Sequence, residues 1–545
     1  MPQVKGEMLK LSLSQKKISP TRRFAQNAIM LIAVNLLMRT VGVSFNIYVS
    51  NRAGGEVMGL YSLLSGVYAF ALTLGCGGIN LGTTRMVADT LGKFSADSDA
   101  FEMDERCRAV IRKILARCLT YSLIFSVSAA ILLFILAPYL GRVWLSDERT
   151  VAPLRVLALT LPPIAISSCL SGYFTAVRRV SRNAAVSIIG QLARIGFCSQ
   201  LLTVMLDGEV EGACMALVLG GALSEGVAFL LTFAAYIIDR KKYLKKPRAD
   251  ADSERGLTKQ LLGITLPVTF SACVRSGLIT LEHALIPRGL KKSGASWAAA
   301  LSSYGVLSSM VLPVVLFPSA FISSFSGLLV PEIAESNAAS DGERVARISN
   351  KIITPALIFS FGVAGIMSCF SHGLGMVLYN SAEAGRYIRM LAPLIPIMYV
   401  DSSVDAVLKG MGEQVYSMNV NIIDALASVV LVWILTPKLG LYGYIVTIYF
   451  TEILNTTLSL TKMLSISGMR MHLWRQVFGP LAAVLGVCCA LNMVLPFVIP
   501  HLPIRTAAGE LIFSISAAAV LYIAVLPLVG VVRKKDMQEL RGLVR

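Results

Sequence analysis

The strongest constraint on this chain is a succession of apolar runs, each about as long as a bilayer is thick. A membrane-spanning helix needs about 20 predominantly apolar residues, and the sequence contains fourteen such runs. The first half holds six, near 25–49, 58–83, 114–138, 152–176, 184–206 and 212–238. The second half holds eight, near 259–286, 299–327, 352–379, 388–411, 415–436, 441–464, 476–498 and 510–532. The composition agrees, since 55% of the 545 residues are hydrophobic. We therefore predict an all-α polytopic membrane protein of about fourteen transmembrane helices.

Basic residues predict the orientation of these spans, because Lys and Arg accumulate in short cytoplasmic loops. Three basic segments are predicted to be cytoplasmic: the N-terminus 1–23, the linker 239–258 and the tail 533–545. The acidic stretch 207–212 falls outside. Both termini are then cytoplasmic, and the protein resides in the cytoplasmic membrane. One loop departs from the pattern, since Arg288, Lys291 and Lys292 would be external.

A weak internal repeat predicts how the spans are grouped. Residues 154–173 align with 388–407 at a constant shift, and each segment lies on the fourth span of a set of six. The pattern predicts an N-lobe at 24–238 and a C-lobe at 259–465, related by a pseudo-two-fold axis with a cavity between them. Spans 13 and 14, at 466–532, have no counterpart in the repeat.

Other classes of protein fit the sequence poorly. The net charge is +18, but the basic residues are spread over short loops without interleaved aromatics, so we expect no nucleic-acid partner. Four scattered histidines and ten cysteines show no metal-ligand spacing, so we expect no metal site and no bound cofactor. A constellation of acid, base and nucleophile with recognisable spacing is lacking, so we do not expect an enzyme.

Arg39 is a charge in the middle of the first span, within "VNLLMRTVGVSFNIYV". An intramembrane charge costs at least about 2.5 kcal/mol and usually faces a cavity or a partner. Arg39 is roughly 20 Å from one end of its span, which is too far for its side chain to reach the interface comfortably. Two interpretations stay open, a role in a cavity or an internal salt bridge.

Further charges recur at helical spacing in the second half. Arg275 and Glu282 are seven residues apart in span 7 and share one face, so they contact substrate or pair with each other. In span 10, Asp401, Asp405 and Lys409 recur every four residues. Two carboxylates one turn apart repel unless a cation, a proton or an arginine lies between them. We predict a site for a coupling cation or proton; the alternative is structural neutralisation by Lys409 and Arg39.

Other charges lie in or near the spans. Arg85 is predicted near the cytoplasmic end of span 2, where it reaches the interface or contacts substrate. The remaining intramembrane charges have partners that the sequence does not name; they are Arg194, Glu225, Asp424 and Glu452.

Three stretches carry a resemblance to a known family: 50–89, 303–335 and 393–455, the last containing "PLIPIMYVDSSVDAVLKGMGEQ". They resemble the stage V sporulation protein B branch of polysaccharide-biosynthesis membrane proteins. That group is related to the lipid II flippase and, more distantly, to multidrug and toxin extrusion transporters. The likeness runs from about residue 24 to 530.

The resemblance implies a fourteen-helix fold of two six-helix lobes and alternating access. The implied substrate is a polyprenyl-pyrophosphate-linked saccharide, with membrane lipid and cell-wall synthesis proteins as further partners. Arg39, followed by Gly42, matches a pyrophosphate-binding arginine of span 1. The second arginine expected one or two turns later is absent, since Phe45 and Asn46 stand there. The predicted substrate-binding residues are Arg39, Asn46, Arg85, Arg275 and Glu282.

Three other functions are alternatives to this one. A multidrug or cation antiporter of the same superfamily would share the fold, but the two extra spans and the cavity arginine suit a cationic substrate poorly. A non-transporting scaffold that recruits cell-wall or sporulation proteins is a further alternative that the sequence leaves open. A membrane glycosyltransferase or acyltransferase would need a catalytic constellation at a loop mouth.

Overall fold

The computed structural model describes residues 20–95, 105–205, 209–243, 256–501 and 506–532. Most of the predicted N-terminal tail, most of the linker and the whole C-terminal tail lie outside these ranges. All regular secondary structure in the described part of the chain is helical, which confirms the predicted fold class.

The helices follow one another with short connections. In chain order they are α1 Pro20–Cys76, α2 Ile79–Ser95, α3 Glu105–Tyr139, α4 Val151–Ala176, α5 Val180–Met205, α6 Val210–Tyr243, α7 Leu257–Lys292, α8 Trp297–Gly305, α9 Leu312–Leu316, α10 Ser319–Ala338, α11 Gly342–Cys369, α12 Ser371–Tyr379, α13 Ala382–Leu391, α14 Ile395–Gly410, α15 Gln414–Leu439, α16 Leu441–Ser467, α17 Gly479–Val498 and α18 Ala507–Val525. π-Helical turns at Leu140–Trp144, Val306–Val311 and Trp474–Phe478 extend or join them.

Twelve segments of the described chain are long and apolar enough to cross a membrane. The first, Leu36–Lys93, contains the larger part of predicted span 1 and all of predicted span 2, because α1 consists of two helical parts joined at a kink at Gly54. Helix α16 covers predicted span 12 but is not among the twelve. The protein is thus a multi-pass membrane protein, and the count of fourteen spans stays a prediction.

Predicted span 8 is broken in the structure. Residues 299–327 were expected to form one helix, but α9 ends at Leu316 and α10 begins at Ser319. Pro318 lies at the break and has no N–H to donate, so the helical hydrogen-bond ladder cannot continue through it. Ala320 N–H donates to the Phe317 carbonyl instead. The Leu316 carbonyl is thereby left available to other donors.

The second part of α1 packs against α8 along a seam that joins the two halves of the chain. Gly59 and Gly305 make this contact close, because a Cβ at Gly59 would lie 2.0 Å from the Leu301 carbonyl oxygen and one at Gly305 would lie 2.1 Å from the Gly55 carbonyl oxygen. Leu60, Leu64 and other buried residues of both halves form one hydrophobic core around this seam.

The last two helices pack on the second half. Helix α17 lies against α11, and α18 lies against α17, α11 and α12. The Tyr522 hydroxyl of α18 donates to the Ile358 carbonyl of α11 at 2.7 Å. Their outer faces are apolar and exposed, with Met493 at 73% and Phe497 at 75%. Such faces suit contact with lipid chains.

The first half ends later than the sequence predicts. Helix α6 continues to Tyr243, so the first five residues of the predicted 239–258 linker are helical. The cause is Asp239, which is fully buried and accepts hydrogen bonds from Arg179, Arg182 and the Tyr173 hydroxyl. These bonds fasten the last turns of α6 to the α4–α5 connection.

Candidate functional site

Arg39 reaches from the first half of the chain to the second. Its Nη2 donates to the Leu316 carbonyl at 3.0 Å and lies 3.5 Å from the Ser319 hydroxyl. Both acceptors belong to the break between α9 and α10, and Tyr399 of α14 lies close by. These acceptors are neutral, so the salt bridge to Asp401 or Asp405 that the sequence left open is not formed. The charge of Arg39 has no carboxylate partner within the described ranges.

A cavity of about 290 Å³ with both polar and apolar walls lies within the first half. Arg39 does not line it, although Met38 and Gly42 of the same helix do. Helix α1 supplies Asn46 and Tyr61 to its wall, and α5 supplies Gln191 and Arg194. The Arg194 guanidinium donates to the Tyr61 hydroxyl at 2.8 Å. Of the predicted site residues, Asn46 is the one that borders this cavity.

A cluster of charges lies in the second half, where α7, α14, α15 and α16 meet. Asp401 interacts electrostatically with Asp405, Asp424, Arg275 and Lys409, and Glu452 interacts with Asp401 and Asp424. One carboxylate oxygen of Asp401 and one of Asp424 are buried without a hydrogen-bond partner among the described residues. The predicted coupling residues are therefore brought together with three further charges.

Within this cluster Asp405 and Asp401 differ in their partners. Asp405 accepts a hydrogen bond from Ser417 and lies 3.8 Å from the Lys409 ammonium group. Asp401 forms no salt bridge in the described part of the chain, and its neighbours include two carboxylates, Asp424 and Glu452. Of the two carboxylates of the predicted stripe, Asp401 is thus the one without a salt bridge among the described residues, and its role as a cation or proton site stays a prediction.

The remaining predicted substrate residues lie apart from Arg39. Arg275 and Glu282 share one face of α7, as their spacing predicts, but they turn toward α15: Arg275 interacts with Asp424, and Glu282 lies beside Ser428. They belong to the charged cluster of the second half. Arg85 of α2 is exposed and forms no hydrogen bond with any described residue. Its role stays a prediction.

The loop that breaks the charge rule has a structural explanation. Arg288 donates to the Val143 carbonyl and to the Ser146 hydroxyl, and Lys291 lies over the Trp297 ring at 5.9 Å from its centroid. The Trp297 indole N–H donates to Asp147 at 3.0 Å. These basic side chains therefore fasten the start of the second half to the α3–α4 connection of the first. We call this set of contacts, Val143–Asp147 with Arg288 and Trp297, the interlobe latch.

The protonation of Asp147 should control the strength of the latch. Burial raises the pKa of its carboxyl, but hydrogen bonds from Arg149 and Trp297 outweigh that effect, so the pKa lies below its usual value. A carboxyl with a lowered folded-state pKa stabilises at neutral pH and loses that contribution as the pH falls through the folded pKa. We expect acidification to weaken the latch by about 1–3 kcal/mol. Asp147→Asn should remove this part of the pH dependence of the melting temperature in detergent. Glu148→Gln, which affects an exposed pair with Arg142, should leave it intact.

The comparisons with known proteins agree with this architecture. Residues 24–335, more than half of the chain, match the model of the family described as polysaccharide biosynthesis protein. The chain belongs to that family. It is also 26% identical over 454 residues to stage V sporulation protein B of Bacillus subtilis strain 168, which covers 82% of this chain and 85% of the relative.

Solved structures show the same fold. The lipid II flippase MurJ in an inward closed conformation superposes with a TM-score of 0.66 at 10% identity, covering 95% of this chain and all of that one. An inward-facing multidrug resistance MATE family transporter of the MOP superfamily superposes with a TM-score of 0.59 at 16% identity. The match covers 80% of this chain and 96% of that one. At these identities the likeness shows the fold, which this chain shares with a flippase and a multidrug resistance transporter.

Some site residues escaped the sequence analysis. Arg194 was recognised as an intramembrane charge, but its neighbours Tyr61 and Gln191 were not. A signal was present, because Gln191, Arg194 and Cys198 follow one another at i, i+3 and i+7 and so form one face of α5. The contact of that face with α1 depends on helix packing, which the spacing does not specify.

Proposed function

We propose that this protein is an alternating-access transporter that moves a polyprenyl-pyrophosphate-linked saccharide, a peptidoglycan or polysaccharide precursor, across the cytoplasmic membrane. The observation that carries the proposal is the position of Arg39. Its charge lies mid-helix and bridges the two halves, and its acceptors among the described residues are a carbonyl and a hydroxyl. A pyrophosphate would supply the anion that these neutral acceptors do not.

The chemistry of Arg39 suits a phosphate ligand. The guanidinium is planar, stays charged, and offers paired N–H donors that match phosphate oxygens. Charge-assisted hydrogen bonds are roughly twice as strong as neutral ones. A phosphate that enters when the halves separate would therefore compete well for the donors now given to Leu316 and Ser319. Substrate binding and rearrangement of the halves would be coupled at this residue.

The lipid chain and the head group would take separate paths. The saccharide and pyrophosphate would cross between the halves, where Arg39 lies. The isoprenoid would stay in the bilayer beside α17 and α18, whose outer faces are apolar. The charged cluster around Asp401 would bind the coupling cation or proton. Both termini would be cytoplasmic, as the loop charges predict, and cell-wall synthesis proteins would be partners on that side.

A cation antiporter is the second candidate, and the acidic cluster of the second half is the observation that favours it. Glu282, Asp401, Asp424 and Glu452 could attract a cationic drug. Arg39 argues against a cationic substrate in the seam between the halves, because it would repel one there. A scaffold without transport activity would need neither feature.

Reconstituted proteoliposomes with a fluorescent lipid-linked saccharide test the proposal. Arg39→Ala should reduce flipping by at least about 100-fold, because one or two charge-assisted hydrogen bonds to phosphate are lost. Arg39→Lys should restore little, since an ammonium group lacks the paired donors. A fluorescent cationic drug in the same vesicles should not be transported.

The matched control is Arg52→Ala on the same helix, because Arg52 is exposed and donates only to the Tyr48 hydroxyl among the described residues. The Arg52→Ala protein should flip the lipid-linked saccharide at the normal rate. Thermal stability in detergent separates loss of function from loss of fold. Full flipping by a folded Arg39→Ala protein, or drug transport without flipping, would contradict the proposal.

A further inference from the structure

The cavity of the first half is built entirely from that half. Its walls are residues of α1, α5 and α6, and no residue of α7–α18 lines it. Its volume of about 290 Å³ is at the lower end of small-molecule sites. It is therefore distinct both from the seam where Arg39 meets Leu316 and from the charged cluster around Asp401.

Arg194 brings an incompletely neutralised charge to this cavity. A guanidinium has five N–H donors, and within the described chain Arg194 interacts with the Tyr61 hydroxyl and the Cys198 thiol, which are both neutral groups. Glu225 of α6 interacts with Arg194 electrostatically but forms no salt bridge with it among the described residues. A half-buried cation with unused donors is costly unless a ligand pairs with it.

Two carboxamides extend the polar wall of the cavity. Asn46 accepts a hydrogen bond from the Ser50 hydroxyl, which leaves its amide N–H groups as donors. Gln191 lies across from Gly42, and a Cβ at Gly42 would be 3.7 Å from its Nε2. A guanidinium with two neighbouring carboxamides is a donor set that suits an oxyanion on a polar ligand.

The cavity lies at a useful distance from Arg39. Asn46 follows Arg39 by seven residues, which places the two on nearly the same face of α1, about 10 Å apart along the axis. A head group whose pyrophosphate is held at Arg39 would therefore extend its first sugar units toward Asn46 and Arg194.

We propose that this cavity is a second recognition site, which binds a carboxylate or phosphate carried on the saccharide head group through Arg194, Asn46 and Gln191. The inference rests on the proposed function, and it narrows the substrate to acidic lipid-linked saccharides. Neutral saccharides would leave Arg194 unpaired and would be selected against.

Binding of soluble probes to the purified full-length protein in detergent tests this site. D-glucuronate presents a carboxylate, glucose 1-phosphate presents a phosphate, and glucose is the neutral control. At least one anionic probe should bind saturably, while glucose should bind at least 10-fold more weakly. Preference between the two anions then identifies the acidic group. Equal binding of glucose, or binding of neither anion, would overturn the proposal.

Variants assign the binding to the cavity. Arg194→Gln should lower the affinity for the anionic probe about 10- to 100-fold, because hydrogen bonds to a charged group contribute free energies in that range. Gly42→Leu should also lower the affinity for the probe, because the leucine side chain would fill the cavity without removing a charge. This variant tests the site even if Arg194→Gln misfolds. Arg52→Ala, the exposed control on the same helix, should leave probe binding unchanged. Probe binding does not require transport, so this inference and the flipping proposal can fail separately. Undiminished binding to folded Arg194→Gln or Gly42→Leu would refute it.

Discussion

Replacing Asp239 with asparagine should destabilise the protein by about 3 kcal/mol. Asp239 is fully buried and accepts hydrogen bonds from Arg179, Arg182 and Tyr173. Its loss would leave two neighbouring arginines without their shared anion, and breaking a buried ion pair from one side costs about 3–5 kcal/mol. The lower end applies because the two arginine side chains are 25% and 30% exposed.

The measurement is thermal or denaturant unfolding in detergent micelles. Asp89→Asn is the matched control, because Asp89 is an exposed carboxylate of α2 that forms no hydrogen bond or salt bridge with a described residue. It should change stability by less than about 0.5 kcal/mol. Equal stabilities for the two variants would mean that the Asp239 contacts do not hold α6 to the α4–α5 connection. Proteolysis near the linker should also accelerate in Asp239→Asn.

The helices could be predicted from the sequence because a bilayer demands apolar runs of fixed length. Each predicted run falls on one helix or on consecutive helices in the structure, and predicted span 8 covers three of them, α8, α9 and α10. The breaks were harder to place. Pro318 interrupts predicted span 8, whereas Pro267 and Pro355 lie inside continuous helices. Whether a proline ends a helix depends on whether neighbouring groups satisfy the freed carbonyl, and those neighbours are remote in sequence.

The charged residues of the site could be found from the sequence, but their partners could not. Arg194 and Tyr61 are 133 positions apart, and Arg39 and Leu316 are 277 apart. The spacing of Arg275 and Glu282 predicts that they share one face of α7. That this face lies against α15, where Arg275 interacts with Asp424, follows only from the packing of the two helices. The partners of Arg288 could not be predicted either. This basic residue lies in a loop predicted to be external, and the structure explains it by hydrogen bonds to Val143 and Ser146 in the α3–α4 connection.

Asp401→Asn should uncouple transport from its driving gradient. One oxygen of Asp401 is buried without a hydrogen-bond partner among the described residues, and Asp405, Asp424 and Glu452 surround it. Neighbouring carboxylates repel unless a cation, a proton or an arginine lies between them, and Arg275 and Lys409 also interact with Asp401. If a coupling cation or proton binds at Asp401, an asparagine would remove one negative charge and weaken that binding. Flipping should then lose its dependence on an imposed proton, sodium or potential gradient, while down-gradient flipping persists.

Asp401 and Asp405, which the sequence predicts to act together, have different partners in the structure. Asp405 already has Lys409 and Ser417 as partners, so Asp405→Asn should reduce stability by about 1 kcal/mol without abolishing coupling. Glu413→Gln, which loses a pair with Lys462 at 3.7 Å near the end of α14, controls for a general effect of charge removal. Gradient dependence should be measured in the same proteoliposomes by setting pH, sodium and potential independently. Unchanged gradient dependence in a folded Asp401→Asn protein would assign the cluster a structural role, because a carboxylate that binds the coupling ion cannot be neutralised without changing the energetics of transport.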